Sequence, residues 1–226
     1  MTPVCPDAAA AAARIFSRLR LGSQHDSILR RAAEAFPNSD YADTLARVVL
    51  LNELYGTNVY AVTRMAHHIA ALGDLANWTG EACVVETIAE LPPRPGDKAR
   101  HFRSFAAKYA HFFVDQARYH ILDDAAVTVL ARHAHVTAAA AKRWSYRTFN
   151  EHAEQLRTQS GLGADRSLDR YLWIGGMRLR ALQPRTSDLI NRELQGVFEA
   201  AASREDIDLI MSKLPSPVRG RRQRPS

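Results

Sequence analysis

Apolar residues recur along this chain at three- and four-residue steps. After Asp40 they fall at Leu45, Val48, Val49, Leu51 and Leu54, and later Leu168, Tyr171, Leu172, Gly175 and Leu179 repeat the spacing. Such steps place the residues on one face of a helix, so both segments are predicted as amphipathic helices. The alanine tract at 8–13 also reads as helix. Ser203-Arg204-Glu205-Asp206 has capping-box spacing ahead of Ile207, Leu209 and Ile210. Pro92-Pro93-Arg94-Pro95-Gly96 interrupts the pattern, and Asp97 is placed to cap the helix after it. Gly161-Leu162-Gly163 and Gln183-Pro184 mark two further connections. Roughly ten helices and no alternating strand emerge from these periods, which predicts an all-α fold.

With 226 residues, 46% of them hydrophobic, the chain can bury a sizeable core as one globular unit. Cys5 and Cys83 are too few for a disulfide framework and lack the CxxC spacing of zinc or iron–sulfur sites, so a reducing cytoplasm is expected. No apolar run approaches the roughly 20 residues of a membrane span, and the alanine tract follows Asp7 instead of a basic segment, so neither export nor membrane insertion is expected. The formal net charge of +6 is unevenly placed. Arg219, Arg221, Arg222 and Arg224 lie in the last eight residues, and removing those four leaves +2 for the rest. Residues 215–226 read as a disordered basic tail, suited either to phosphate contacts or to solubility.

Candidate chemistry sharpens the picture at a few places. Residues 47–63, RVVLLNELYGTNVYAVT, run an apolar helix into a Tyr55-Gly56-Thr57-Asn58 turn. This puts an aromatic at a helix end without the cover of ordinary packing, as a DNA-inserting side chain requires; a core aromatic at a helix C-terminus is the plainer reading. Lys142, Arg143 and Arg147, interleaved with Trp144 and Tyr146, suit a phosphate backbone and equally a solvated helix face. Gly175-Gly176 inside a helical pattern costs about 1 kcal/mol per glycine relative to alanine, so a close approach of backbone or ligand is expected there. Asp123-Asp124 before Ala-Ala-Val is good helix-capping sequence. His67-His68, His101, His111 and His120 show no ligand spacing for a metal, and His25-Asp26 reads as a helix start more readily than as a metal dyad.

The segment LLNELYGTNVYAV resembles the helix–turn–helix of the helix–hairpin–helix DNA glycosylases, whose endonuclease III-type members carry a run of the form LLSAQ-T-D there. The match centres on Leu50, Leu51, Tyr55, Thr57, Asn58 and Val59. A second stretch, SFAAKYAHFFVDQARYHILDDAAVTVL, is similar to the family's hairpin, the helix beginning near a lysine, and the apolar-X-apolar-Asp string that opens the next helix. Together the likeness covers roughly residues 40 to 180. It implies a two-lobed all-α fold with a degenerate helix–hairpin–helix and an interlobe cleft. About 40–121 would form one lobe and 1–39 plus 122–214 the other.

Residue by residue, the resemblance makes Asp123 the catalytic aspartate and Lys108 the lysine of bifunctional members. Tyr55 becomes the side chain that fills the gap left by an extruded base, with Thr57, Asn58, Arg103, Ser104, Lys142, Arg143 and Arg147 as DNA contacts. Asn52, Asp169 and Trp173 are assigned to the base pocket. A carboxylate beside the N-glycosidic bond stabilises an oxocarbenium-like sugar, whereas a lysine amine can attack the sugar and form a Schiff base. Arg103-Ser104-Phe105-Ala106-Ala107 lacks the glycines of the family hairpin, and the 15 residues from Lys108 to Asp123 are fewer than usual. Water-dependent, monofunctional hydrolysis is therefore expected. Absence of a four-cysteine cluster places the chain outside the iron–sulfur subgroup.

The function so implied is a DNA glycosylase without cofactor or metal. As a cytoplasmic, nucleoid-associated monomer it would act on double-stranded DNA containing a modified base, in base-excision repair or against modified foreign DNA. The alternative is a noncatalytic helical DNA-binding protein.

Overall fold

The computed structural model describes residues 1–78, 83–96, 100–180 and 189–218. Its elements are α1 (Pro6–Ser17), α2 (Arg20–Ala35), α3 (Tyr41–Tyr55), α4 (Val62–Ala71), α5 (Val84–Ala89), α6 (Arg103–Phe113), α7 (Asp124–His133), α8 (Ala138–Ala141), α9 (Tyr146–Gln159), α10 (Ser167–Arg180), α11 (Leu189–Glu199) and α12 (Arg204–Lys213), with a 3-10 turn at Ala201–Ser203. The fold is mostly helical, and it divides into two compact units: Met1–Arg20 with Asp123–Ser226, and Leu21–Leu122.

In the first unit, the alanine tract becomes the inner helix. Ala8, Ala9, Ala11 and Ala12 of α1 are buried with Ile15 and Phe16, and the helix lies against α10 and α12. Side chains this small let helix backbones come close, which trades side-chain area for dense contact. Arg14 of α1 and Arg18, which caps its C-terminus, both reach Asp206, at 2.6 and 3.0 Å, and Arg18 Nη1 donates to Ser203 Oγ at 3.1 Å. Ser203 makes no side-chain cap on α12. The expected capping box is therefore not formed: Arg14 and Arg18 have taken both of its side chains.

The same unit ties down the N-terminal residues through a buried histidine. His133 Nδ1 donates to the Thr2 carbonyl at 2.7 Å, which leaves Nε2 to accept from the Tyr171 hydroxyl at 3.0 Å. Burial pushes His133 below the usual histidine range, in keeping with the neutral ring that this pairing needs.

The glycine pair of α10 has the expected cause. A Cβ on Gly176 would lie 2.6 Å from the Ala125 Cα, whereas one on Gly175 would meet Val129 Cγ2 at 3.4 Å. Gly176 thus lets α10 run directly against the first turn of α7, and only a residue without a Cβ fits there.

In the second unit α3 packs on α4 and α6, and α5 packs on α6. Val48, Leu51, Met65, Ile69, Ile88, Phe105 and Tyr109 are buried among them. The predicted face of α3 is shifted, because Val49 is 46% exposed while Thr44 and Arg47 are buried. The division between units falls at Arg20–Leu21, whereas the sequence reading set it at 39–40. The reason lies in α2, whose His25 Nδ1 donates to the Leu54 carbonyl at 3.0 Å and whose Asp26 accepts from the Tyr55 hydroxyl at 2.7 Å. The stretch expected as a degenerate hairpin, Arg103–Ala107, is the first part of α6. Asp97, the Gln183-Pro184 connection and the four tail arginines lie outside the described residues.

Candidate functional site

The turn after α3 is built by one asparagine. Asn52 Oδ1 accepts from Thr57 Oγ1 and from the Val59 amide, both at 2.8 Å, while its carbonyl accepts from the Gly56 and Thr57 amides. Gly56 closes the helix at φ 54, and Asn58 follows at φ 56. These are left-handed conformations that glycine and asparagine adopt most readily. Asn52, assigned to a base pocket, and Thr57, assigned to DNA, thus bond to each other within the turn, whereas Asn58 is exposed.

Tyr55 is not an uncovered ring. It is half-buried, its hydroxyl donates to Asp26, and its ring centre lies 5.6 Å from that of Phe112. The turn does present an aromatic to solvent, but it is Tyr60, at 82% exposure. The sequence contained this signal, since Tyr60 lies two residues past Asn58, but an alignment centred on Tyr55 passes over it.

Lys108 is buried, with Nζ 2.7 Å from Ser104 Oγ and 5.9 Å from the Tyr55 ring centre. The proposed nucleophile and the proposed DNA-contacting hydroxyl therefore bond to each other one turn apart on α6. Arg103, at the start of that helix, is half-exposed.

Asp123 heads α7 in the first unit. Its Oδ1 accepts from the Ala126 amide at 2.8 Å, and its extended backbone (φ −144, ψ 172) is that of an N-cap. The residue is half-buried, and Oδ2 has no hydrogen-bond partner among the described residues. Asp124 is exposed and pairs instead with Arg180 at 3.2 Å. The close contact at Gly176 lies two residues beyond Asp123, at Ala125.

The remaining candidates sort by burial. Trp173 meets Phe16 edge-on at 6.0 Å, and Arg170 lies 4.8 Å over that same Phe16 ring, so Trp173 serves the packing of α10 on α1. Asp169 is buried on the same helix. Lys142, Arg143 and Arg147 are exposed around the α8–α9 connection. Of the aromatics between them, Tyr146 is core, while Trp144 packs on His152 at 4.6 Å. His67 stacks on Tyr41 at 3.9 Å and His68 bonds the Thr87 carbonyl at 2.9 Å. Among the described residues, no three His, Cys, Asp or Glu side chains are grouped to hold a metal. No helix there is long and apolar enough to cross a membrane.

A family model described as HI_0787_N, N-terminal domain, matches residues 11–117. The matched stretch runs from within α1 to just past α6, so it takes in nearly all of the second unit, including Asp26, the Tyr55–Tyr60 turn and Lys108, but stops short of Asp123. No curated protein and no solved structure matches the chain.

Proposed function

We propose that this protein is a monofunctional DNA glycosylase, which extrudes a damaged or modified base and hydrolyses its N-glycosidic bond. The observation that carries this reading is Asp123: a half-buried carboxylate held by one oxygen at a helix N-terminus, with the other oxygen uncommitted among the described residues. As the bond between the sugar C1′ and the base nitrogen breaks, its electron pair leaves with the base. Positive charge then develops on the sugar, where a fixed carboxylate stabilises it. Water bonds to C1′ and gives a proton to Asp123, the departing base takes up a proton from solvent and Asp123 returns its own to solvent, so that the products are a free base and an abasic site.

In this reading Tyr60, not Tyr55, enters the duplex. It is the exposed aromatic of the turn, and stacking on an orphaned base is worth about 1–3 kcal/mol. Exposed Lys142, Arg143 and Arg147 supply phosphate contacts. Lys108, buried and bonded to Ser104, is a supporting residue and not a nucleophile.

The test is a panel of duplexes carrying oxidised, alkylated or bulky modified bases, with release of free base followed by mass spectrometry and borohydride added in parallel. Base release without a trapped protein–DNA adduct is the expected result. Binding without release from any duplex would leave a noncatalytic DNA-binding protein, and an adduct that vanishes in Lys108→Gln would restore the lysine as nucleophile.

A further inference from the structure

The segment ahead of α1 is held by one histidine. The Thr2 amide donates to the His133 carbonyl at 2.9 Å, and His133 Nδ1 donates to the Thr2 carbonyl at 2.7 Å. Two residues on, the Val4 amide donates to Ser160 Oγ at 2.8 Å, and Val4 itself is buried. Thr2 Oγ1 lies 2.8 Å from His135 Nε2. Residues 2–4 thus form a strap over His133, the last residue of α7, and Ser160, which caps the end of α9. An uncharged amide side chain offers the same donor to a carbonyl. A ring that can gain a charge, at 0% exposure, is a costly choice for the place.

The bonds to the ring admit one protonation state. The Thr2 carbonyl can only accept, so Nδ1 carries the proton, and Nε2 accepts from the Tyr171 hydroxyl at 3.0 Å. Tyr171 is also 0% exposed, and burial holds its hydroxyl above the usual tyrosine range, so it stays a neutral donor. A proton on Nε2 would set two donors against each other. The hydroxyl would have to turn its hydrogen away, and it makes no other hydrogen bond among the described residues. Counter-charge is missing as well: among the described residues no carboxylate acts on the ring, and His135 opposes a positive charge there. Arg132 of α7 turns Nη1 to the Pro215 carbonyl at 3.5 Å, and α8 is four alanines. At the strap end of α9, Glu154 pairs with Arg157 at 2.8 Å. Asp169 and Arg170, just ahead of Tyr171 on α10, do not act on the ring, and Cys5 ahead of α1 acts on Tyr171.

We propose that His133 is a pH-sensitive latch, closed over residues 2–4 while its ring is neutral and released when the ring takes up a proton. In the closed state burial holds His133 below the usual histidine range, whereas in a released state the ring reaches solvent and regains an ordinary value of about 6.5. The released state therefore binds the proton more readily. The latch has its full strength above about pH 6.5 and weakens as the pH falls from there toward the depressed value of the closed state, the released fraction rising about 10-fold per pH unit. His135 also touches the strap, but its Nε2 can either donate to a hydroxyl or accept from one, so its own titration costs no bond. The latch uses no residue of the glycosylase reading and is independent of it.

The experiment is amide hydrogen exchange of the full chain, read by NMR at Thr2 and Val4 as protection relative to intrinsic exchange between about pH 7.5 and about pH 5.5, with the His133 ring titrated in the same samples. Protection is expected to fall about 10-fold over this range while the ring titrates below about 6.5. His133→Asn, whose side-chain amide still donates to the Thr2 carbonyl, should abolish the fall, and His135→Gln should keep it. Should His133→Asn fail to fold, the ring titration of the unaltered chain decides. A midpoint at or above about 6.5 with the strap in place would overturn the proposal, as would protection that is flat over the range, a fall that survives His133→Asn, or one that disappears in His135→Gln. Base release is not read, so failure here leaves the glycosylase reading untouched.

Discussion

A tyrosine whose hydroxyl meets a buried carboxylate cannot leave its place without stripping a donor from that carboxylate, and this separates Tyr55 from Tyr60. Asp26 is 1% exposed and accepts from Tyr55 at 2.7 Å. Tyr55→Phe should therefore lower stability by about 1–3 kcal/mol in urea unfolding, with little effect on base extrusion. Tyr60 is 82% exposed, so Tyr60→Ala should leave stability within about 0.5 kcal/mol. It should instead weaken extrusion, read with a fluorescent base analogue in the duplex, by the stacking of roughly one base, about 1–3 kcal/mol. Extrusion that survives Tyr60→Ala and fails in Tyr55→Phe would return the role to Tyr55. Residue types alone do not separate the two tyrosines. They flank a turn whose left-handed Gly56 and Asn58 reverse the chain, and which one remains outside depends on what α2 and α6 place against the end of α3.

At the scale of elements, the contact between α7 and α10 hangs on one missing methyl group. Gly176→Ala forces a Cβ into the Ala125 backbone, which has no rotamer by which to retreat, and should cost about 1–3 kcal/mol. Gly175→Ala meets only side-chain methyls, the nearest that of Val129 at 3.4 Å, and gains helix propensity of up to about 1 kcal/mol, so urea unfolding should place it near the unaltered protein. Equal losses in both variants would mean that the close approach at Gly176 is not what joins the helices. Periodicity made α3 and α10 legible, and the glycine pair announced a close approach before any partner was known. Other features depend on partners far along the chain. The Ser203–Asp206 spacing fits a capping box, but Arg14 and Arg18 arrive from nearly two hundred residues away and take its side chains. Arg47 breaks the apolar pattern of α3, and a pattern of residue types carries no sign that two rings of α6, Tyr109 and Phe113, would cover it. The lysine at 108 is likewise legible as a residue and not as a site, because its burial and its bond to Ser104 depend on where α6 begins.

For the whole molecule, the family likeness and the proposed chemistry fall on different units. The matched residues 11–117 hold the turn with Tyr60, whereas Asp123 belongs to the unit formed by the two ends of the chain. The claim that joins them is that Asp123 acts on DNA and does more than cap α7. Asparagine and aspartate cap helices about equally well, so Asp123→Asn removes the charge while keeping the bond to the Ala126 amide. The decisive measurement is single-turnover release of base by Asp123→Asn, with melting temperature and DNA affinity determined on the same preparation. We predict unchanged melting and binding with release lowered by about 10²- to 10⁴-fold, and little loss in Asp124→Asn, whose side chain is turned to Arg180. Full release by Asp123→Asn, or a loss that appears only together with a lower melting temperature, would contradict the account and leave Asp123 a helix cap.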